Sequence, residues 1–289
     1  MFEAGLQFLV NGLVTGCFYA LIALGLTLIF GMMGVVNFAH GEFFVLGGVF
    51  AYWFVALMGM PFWLAVILVV VVMALLGAAF DVTMVRPLRS AHILSSALVT
   101  IGLSIFLLNT TLLIFGPSPR AIETGFARKP ILLGPVVLTE ARVFAVVLGI
   151  VAIVLLHLLI QKTKLGRAMR ATFQNRDAAA LVGVNIEFIY TFTFAIGTAM
   201  AALAGALLGA IFVVHPSTAE LATLKAFVVV ILGGMGSFPG AVAGGLILGI
   251  VESLWGGYFS TGYQDVIGFV LVILILLFKP TGLFSGSTR

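Results

Sequence analysis

AGLQFLVNGLVTGCFYALIALGLTLIFGMMGVVNFAHG, residues 4–41, contains no formally charged residue and no proline. As one straight helix it would be about 57 Å long, almost twice the roughly 30 Å hydrocarbon core of a bilayer. The helix must therefore break, and the glycines of GMMG, residues 31–34, mark the predicted position. We expect a first membrane span over residues 6–32 and a second helix that begins within residues 37–41.

The composition restricts the chain to one class of protein. Hydrophobic residues make up 62% of its 289 residues and charged residues only 8%, and the mean hydropathy is +1.28. Only helices and closed barrels satisfy their backbone in a bilayer, and the apolar runs are too long and too continuous for barrel strands. We predict an all-α, polytopic integral membrane protein, with residues 1–289 forming a single transmembrane domain.

Further apolar runs continue the pattern. The second helix should reach about residue 58, and the later spans are predicted at residues 62–85, 93–115, 142–161, 188–214, 241–255 and 262–278. Residues 221–235 are apolar enough to insert but short, so we predict eight or nine transmembrane helices, some short or broken. The loop at residues 116–141 holds four prolines and should be extended and rich in turns.

The distribution of basic residues predicts an orientation. If residues 221–235 cross, the N-terminus lies outside, and nine basic residues fall on the inside: Arg86, Arg89, Lys162, Lys164, Arg167, Arg170, Arg176, Lys279 and Arg289. Five fall on the outside: Arg120, Arg128, Lys129, Arg142 and Lys225. The excess of basic residues on the inside follows the positive-inside rule. The bases near the loop at residues 116–141 nevertheless leave the opposite orientation open. The basic residues behind the net charge of +4 therefore set the orientation of the chain in the membrane, and they do not indicate a nucleic-acid partner.

Residues 162–185 form the most polar element of the chain. A short helix fits residues 166–173, and Asn175 is placed to cap a second one at residues 176–182 that Gly183 ends. One interpretation is an ordered cytoplasmic element that another protein grips; the other is a loop that only orients the chain. The candidate docking residues are Gly166, Arg167, Arg170, Arg176, Asp177, Ala178, Ala179 and Gly183.

Pairs of glycines four residues apart form a second pattern. Such pairs let helices approach closely in lipid. They allow tight packing within one subunit or a surface that packs on a second membrane subunit. The helix-packing candidates are Gly12, Gly16, Gly205, Gly209, Gly240, Gly244, Gly245 and Gly249.

Polar residues inside spans are candidates for function because they are costly there. Asn37, His40 and Glu42 lie together in NFAHGEF, with Asn37 a predicted N-cap and Glu42 in the first helical turn. We assign this motif a place in the translocation path or at a gate at its cytoplasmic mouth. Asp81 is explained by a pair with Arg86, and Glu252 is assigned no role.

The sequence gives little support for catalysis. It contains no GxxxxGK[ST] phosphate-binding loop, no HExxH and no GxSxG. Cys17 is the one cysteine, so the chain cannot form an internal disulfide or a cysteine metal cluster. We predict no catalytic residues and no metal site. A stand-alone secondary transporter or channel for small solutes remains the alternative to a subunit of a larger transporter.

Three segments together resemble the permease of branched-chain amino-acid ABC importers, closest to the LivH-type subunit. They are NGLVTGCFYALIALGLTLIFGMMGVVNFAHGEFFVLGG (residues 11–48), LGRAMRATFQNRDAAALVGVN (165–185) and VVVILGGMGSFPGAVAGGLILGIVE (228–252). The tail FKPTGLF (278–284) is also similar. The resemblance covers nearly the whole chain.

The resemblance implies a multi-pass protein of the bacterial cytoplasmic (inner) membrane. Its implied partners are a second permease subunit, usually of the longer LivM type, two cytoplasmic ATPase subunits and an extracytoplasmic substrate-binding protein. It implies no cofactor in this chain, since the ATPase subunits would bind ATP and Mg²⁺. Residues 165–183 would then be the element that docks on an ATPase, and the substrate would be a branched-chain or related amino acid.

Overall fold

The computed structural model of the protein describes residues 2–89, 93–125 and 130–284, and this part is almost entirely helical. The helices are α1 (Phe2–Met33), α2 (His40–Tyr52), α3 (Phe62–Phe80), α4 (Ile93–Phe115), α5 (Glu140–Lys162), α6 (Lys164–Gln174), α7 (Arg176–Leu181), α8 (Ile186–Ile211), α9 (Thr218–Gly233), α10 (Phe238–Tyr258) and α11 (Gln264–Phe278). The strands are β1 (Arg120–Ala121), β2 (Pro130–Leu133), β3 (Val136–Thr139) and β4 (Val213–Val214).

The predicted all-α membrane fold is confirmed. Within the described residues, eight helices are long and apolar enough to cross a membrane. α9 is the segment left undecided by the sequence; its 16 residues span only about 24 Å, less than a bilayer core. α1 and α8 are the most buried of the long helices, and α11 is the most exposed.

The chain breaks after α1 at the predicted GMMG motif and returns into the membrane. α1 ends at Met33, and Gly34 has a φ of +65°, a conformation that glycine adopts without a Cβ clash. At the start of α2, His40 Nε2 lies 2.8 Å from the carbonyl oxygen of Ile22. Ile22 is eleven residues before the end of α1, about 16 Å of helix. Residues 34–39 thus carry non-helical backbone toward the middle of the membrane. Val35, Asn37 and Ala39 are buried in the surrounding protein, whereas Gly34 and Phe38 are exposed.

The glycines pack helices against one another within this chain. A Cβ on Gly12 would lie 2.6 Å from the Cα of Ile250, and one on Gly16 would lie 2.8 Å from the Cα of Leu246. The contact also uses glycines of α10, since Gly245 and Gly249 touch the backbone of α1. These positions therefore belong to the contact between α1 and α10, not to a surface for a second subunit.

The other paired glycines also face inward. Gly240 and Gly244 lie against the backbone of α9. Gly205 of α8 meets the backbone of Phe44 in α2, and Gly209 lies beside Val214. Close backbone approach at these points brings α2, α8, α9 and α10 into one packed centre.

The two ends of the helices differ in charge and structure. One, here called the basic end, carries the C-terminal ends of α1, α3, α5 and α11 together with α6 and α7; its described bases are Arg86, Arg89, Lys162, Lys164, Arg167, Arg170, Arg176 and Lys279. The opposite end carries the β2–β3 hairpin and the β1–β4 pair. The expected turns and extended backbone of the loop at 116–141 are confirmed for its described residues. Lys225, which the sequence analysis counted among the outside bases, lies inside α9 and is 6% exposed.

Candidate functional site

The polar element at residues 162–185 is held against the membrane helices by α6. The side chain of Thr163 caps α6 by accepting a hydrogen bond of 2.9 Å from the N–H of Gly166. Gly166 lies directly against backbone carbonyls at the end of α5, and Met169 is buried. Phe173 lies 3.4 Å from a Cβ position on Gly31 at the end of α1. The helix α6 is therefore a fixed platform.

The following helix, α7, stands away from the protein. Asn175 Oδ1 accepts a hydrogen bond of 2.9 Å from the N–H of Ala178, and Gly183 ends the turn with a φ of +87°. Ala179 is buried, whereas Ala178, Arg176 and Asp177 are exposed. Beyond them Leu181 is 89% and Val182 is 79% exposed. Two large apolar side chains at such an exposed tip are a feature of a surface that a partner covers.

Arg170 makes a contact within the protein that the sequence did not predict, and its docking role stays a prediction. Its side chain is half-buried and donates a hydrogen bond to the carbonyl oxygen of Ile160 at the end of α5. A cation there also complements the negative end of the helix dipole. Arg170 thus fastens α6 to α5, and its replacement would disturb the platform. Arg167 remains exposed and free to meet a partner.

The NFAHGEF motif lies deep in the protein and not at a cytoplasmic mouth. Ala39, not Asn37, occupies the N-cap position of α2. Asn37 Oδ1 accepts a hydrogen bond of 3.1 Å from the N–H of Ala39, and Glu42 accepts one of 3.3 Å from Ser104 on α4. His40 points the other way, toward Ile22 on α1.

Three polar atoms of this motif are unusual because they are buried without a partner among the described residues. They are Asn37 Nδ2, His40 Nδ1 and Glu42 Oε2. Buried polar groups are nearly always paired, so each such atom needs an explanation. Polar groups at a broken helix near mid-membrane are also the usual position of a transporter's path.

Asp81 pairs with a different arginine from the one expected. Its carboxylate is fully buried and binds the guanidinium of Arg89, not Arg86. The hydroxyl of Thr191 on α8 also donates to it, at 2.6 Å. Arg89 and Arg86 both bind Glu187 in the first turn of α8. This network ties the residues that follow α3 to the first turn of α8. Glu187 lies only four residues after Gly183, which ends the turn after α7.

A second buried charge cluster was missed by sequence reasoning. Lys225 of α9 forms an ion pair with Glu252 of α10, and the two side chains are only 7% and 1% exposed. Tyr19 of α1 donates a hydrogen bond of 2.8 Å to Glu252 Oε2. Asp265 of α11 lies 2.8 Å from Lys225 Nζ. The signal available in the sequence was a lysine and a glutamate inside apolar runs, which usually marks a functional residue.

The depth of this cluster follows from the helices that carry it. Tyr19 is fourteen residues from the end of α1, and Glu252 is fourteen residues from the start of α10. Both distances correspond to about 21 Å from the basic end, so the cluster lies beyond the middle of a roughly 30 Å core. The described residues contain no group of three or more His, Cys, Asp or Glu side chains suited to a metal ion.

Sequence and structure comparisons agree with this architecture. The sequence model of the family described as the branched-chain amino acid transport system permease component matches residues 8–276. The chain belongs to this family. It is 38% identical to the high-affinity branched-chain amino acid transport system permease protein BraD of Pseudomonas aeruginosa, over 97% of this chain and 95% of that protein. Identity to the LivH permease protein of Escherichia coli is also 38%, with the same coverage.

The fold of this permease also has a counterpart among solved structures. A chain of PsaBC from Streptococcus pneumoniae, solved in complex with a Fab, superposes with a TM-score of 0.51. The match covers 95% of this permease and 93% of that chain, at 12% sequence identity. The likeness is therefore one of fold. The permease is a multi-pass membrane protein of the same kind as its LivH-type relatives.

Proposed function

We propose that this permease is one membrane subunit of an ATP-driven importer of branched-chain or related amino acids. It would pair with a second permease, of LivM type, in the bacterial inner membrane. Two cytoplasmic ATPase subunits would bind ATP and Mg²⁺, and an extracytoplasmic protein would deliver the substrate. Family membership and the transport systems named for BraD and LivH support the substrate class.

The exposed tip of α7 is the observation that carries the proposal. It combines the charges of Arg176 and Asp177 with the apolar side chains of Leu181 and Val182, all at the basic end. The excess of basic residues at that end supports a cytoplasmic location for it. A water-exposed apolar tip on a rigid platform fits a groove in a cytoplasmic partner. No membrane-spanning role requires such a tip.

The connections of α7 provide a route from the ATPase to the core. The chain passes from Gly183 directly into α8, whose Glu187 binds both arginines at the end of α3. The helix α8 then packs through Gly205 against α2, which carries His40 and Glu42. Closure of the ATPase pair would push α7, and the packed helices would switch together between two arrangements. The motif residues Asn37, His40 and Glu42 would line the path or its gate.

Replacement of the tip tests the docking role. Leu181→Asp should leave the permease in the membrane, because the side chain touches water in the isolated subunit. It should remove the ATPase subunits from the purified complex and abolish leucine uptake. Gln161→Glu, at an exposed neutral position beside the same element, introduces the same single negative charge and should leave the subunit content and the uptake unchanged.

The outcome is measured by affinity purification of the tagged permease from its native membrane, with mass identification of the subunits. A Leu181→Asp complex with normal ATPase content and normal uptake would refute docking through α7. A wild-type permease that purifies alone and drives uptake in vesicles without any ATPase would indicate a stand-alone transporter instead.

A further inference from the structure

An apolar groove of about 550 Å³ lies between α1, α5 and α10. It follows α5 from Arg142 to Val154, which are twelve residues or about 18 Å of helix apart. Val147 and Ile150 on its wall are exposed, so the groove is open to the surrounding lipid. One leaflet supplies roughly 15 Å of the hydrocarbon core. The groove therefore has the length of an acyl chain that reaches from the headgroups to the midplane.

A polar cavity of about 480 Å³ meets this groove at its outer end, because Arg142 and Val14 line both. Arg142 lies twenty residues before the end of α5, about 30 Å from the basic end. Its side chain is therefore at the headgroup level of the opposite leaflet. The polar side chains of the second cavity come mainly from α1, α10 and the start of α11, and they include Asn11, Thr15, Ser253 and Gln264. An apolar and a polar compartment thus meet at one arginine.

The guanidinium of Arg142 is available to an anion. It donates a hydrogen bond of 3.1 Å to Asn11 Oδ1, and no carboxylate within residues 2–89, 93–125 and 130–284 forms an ion pair with it. A guanidinium has five N–H donors, so Asn11 leaves most of them unused. Arg142 also lies in the first turn of α5, where the helix dipole disfavours a cation and favours an anion. The arginine and the dipole would therefore hold an anion together.

We propose that Arg142 and the groove bind one glycerophospholipid, with its phosphate on the guanidinium and an acyl chain along α5. The polar cavity would take the remainder of the headgroup. Arginine binds phosphate well because its planar fork can donate two parallel hydrogen bonds. A transmembrane helix of another subunit would have to bring its own carboxylate to this height, whereas a phospholipid carries its phosphate there. The site is formed by this chain alone, so the inference does not depend on the proposed function.

The phosphate should decide the affinity, and the chain should decide the position. An acyl chain that moves from the surrounding lipid into the groove exchanges one apolar environment for another and gains little free energy. The charged hydrogen bonds between guanidinium and phosphate are specific to the site. Diacylglycerol has the chains without the phosphate and should not bind. Glycerol 3-phosphate has the phosphate without the chains that keep it at the membrane surface, and it should not bind either.

Photocrosslinking tests the site. The tagged permease is purified in a neutral detergent with the subunits that accompany it, and it is irradiated with phosphatidylglycerol that carries a diazirine on one acyl chain. Crosslinks should concentrate on peptides that contain residues 10–20 of α1 and residues 143–154 of α5. A tenfold excess of unlabelled dioleoyl phosphatidylglycerol should lower them about tenfold, since the two lipids share the site. The same excess of dioleoylglycerol or of glycerol 3-phosphate should leave them unchanged.

Variants of Arg142 separate the phosphate contact from lipid that covers any membrane protein. Arg142→Gln should lower the crosslinks in the groove about ten- to hundredfold below saturation, in line with the loss of a charged hydrogen bond. Crosslinks to α4, whose Leu113 and Ile105 are exposed away from the groove, should stay at the wild-type level. Arg142→Lys keeps the charge and should retain most of the labelling. Arg120→Gln removes an exposed arginine outside the groove and should have no effect.

Four results would overturn the proposal. The first is equal labelling of α4 and the groove in the wild-type protein, and the second is unchanged groove labelling in Arg142→Gln. The third is displacement of the labelled lipid by dioleoylglycerol. The fourth is a groove that is labelled in the isolated permease and not in the complete complex, because another subunit would then occupy it. An Arg142→Lys variant that loses as much labelling as Arg142→Gln would also contradict a role for the charge.

Discussion

The ion pair between Lys225 and Glu252 allows a quantitative prediction. Lys225→Met removes the ammonium but keeps most of the side-chain volume, so the change is mainly electrostatic. Glu252 is then a buried carboxylate whose remaining partner in the cluster is the hydroxyl of Tyr19. Both charged side chains are almost completely buried, so solvent does not screen the loss. Breaking such a pair from one side costs about 3–5 kcal/mol of unfolding free energy.

The double variant Lys225→Met/Glu252→Gln separates this cost from a general packing defect. It removes both charges, and the amide can still accept the hydrogen bond from Tyr19. Because a buried pair often contributes little net stability compared with neutral residues, the double variant should recover most of the loss. The single variant should unfold about 6–20 °C below wild type, from a shift of roughly 2–4 °C per kcal/mol.

The assay is thermal unfolding of the detergent-purified permease, followed by the loss of monodisperse protein on size exclusion. If the unfolding temperature of Lys225→Met lies within about 2–3 °C of the wild-type value, the ion pair is not buried from water as the structure shows it. A double variant less stable than the single one would contradict the charge argument, since the defect would then come from packing.

Two further substitutions address the helix contacts. Gly16→Leu places a side chain in the backbone of α10 and should prevent accumulation of folded protein, whereas Gly102→Leu, which meets nothing within 4 Å, should accumulate normally on a membrane-fraction immunoblot. Asp81→Asn weakens the hold on Arg89 and should cost about 1–3 kcal/mol, read as a lower melting temperature; Asp177→Asn, at an exposed carboxylate, should show no change.

The helices and their ends could be predicted because their signals are local. Long apolar runs set the spans, and the glycines at residues 31–34 placed the break after α1. The side chain of Asn175 and the position of Gly183 were sufficient to predict α7. The exposed tip at Leu181 was only partly foreseen, since the sequence identified the charges there and not the apolar residues.

The partners of the buried charges could not be predicted because they depend on contacts between distant segments. Lys225 and Glu252 are 27 residues apart, and Tyr19 comes from the other end of the chain. Asp81 binds Arg89 although Arg86 is nearer in sequence, because the turn after α3 carries Arg89 back toward it.

The sequence by itself determined the class of the protein, its spans and the two short helices at residues 162–185, because hydropathy and helix caps act within a few residues. Only the tertiary structure decided how deep His40 lies and which charges meet at Lys225. Those features follow from how α1, α9, α10 and α11 pack side by side, and glycine contacts that set this packing leave no trace of their partners in the local sequence.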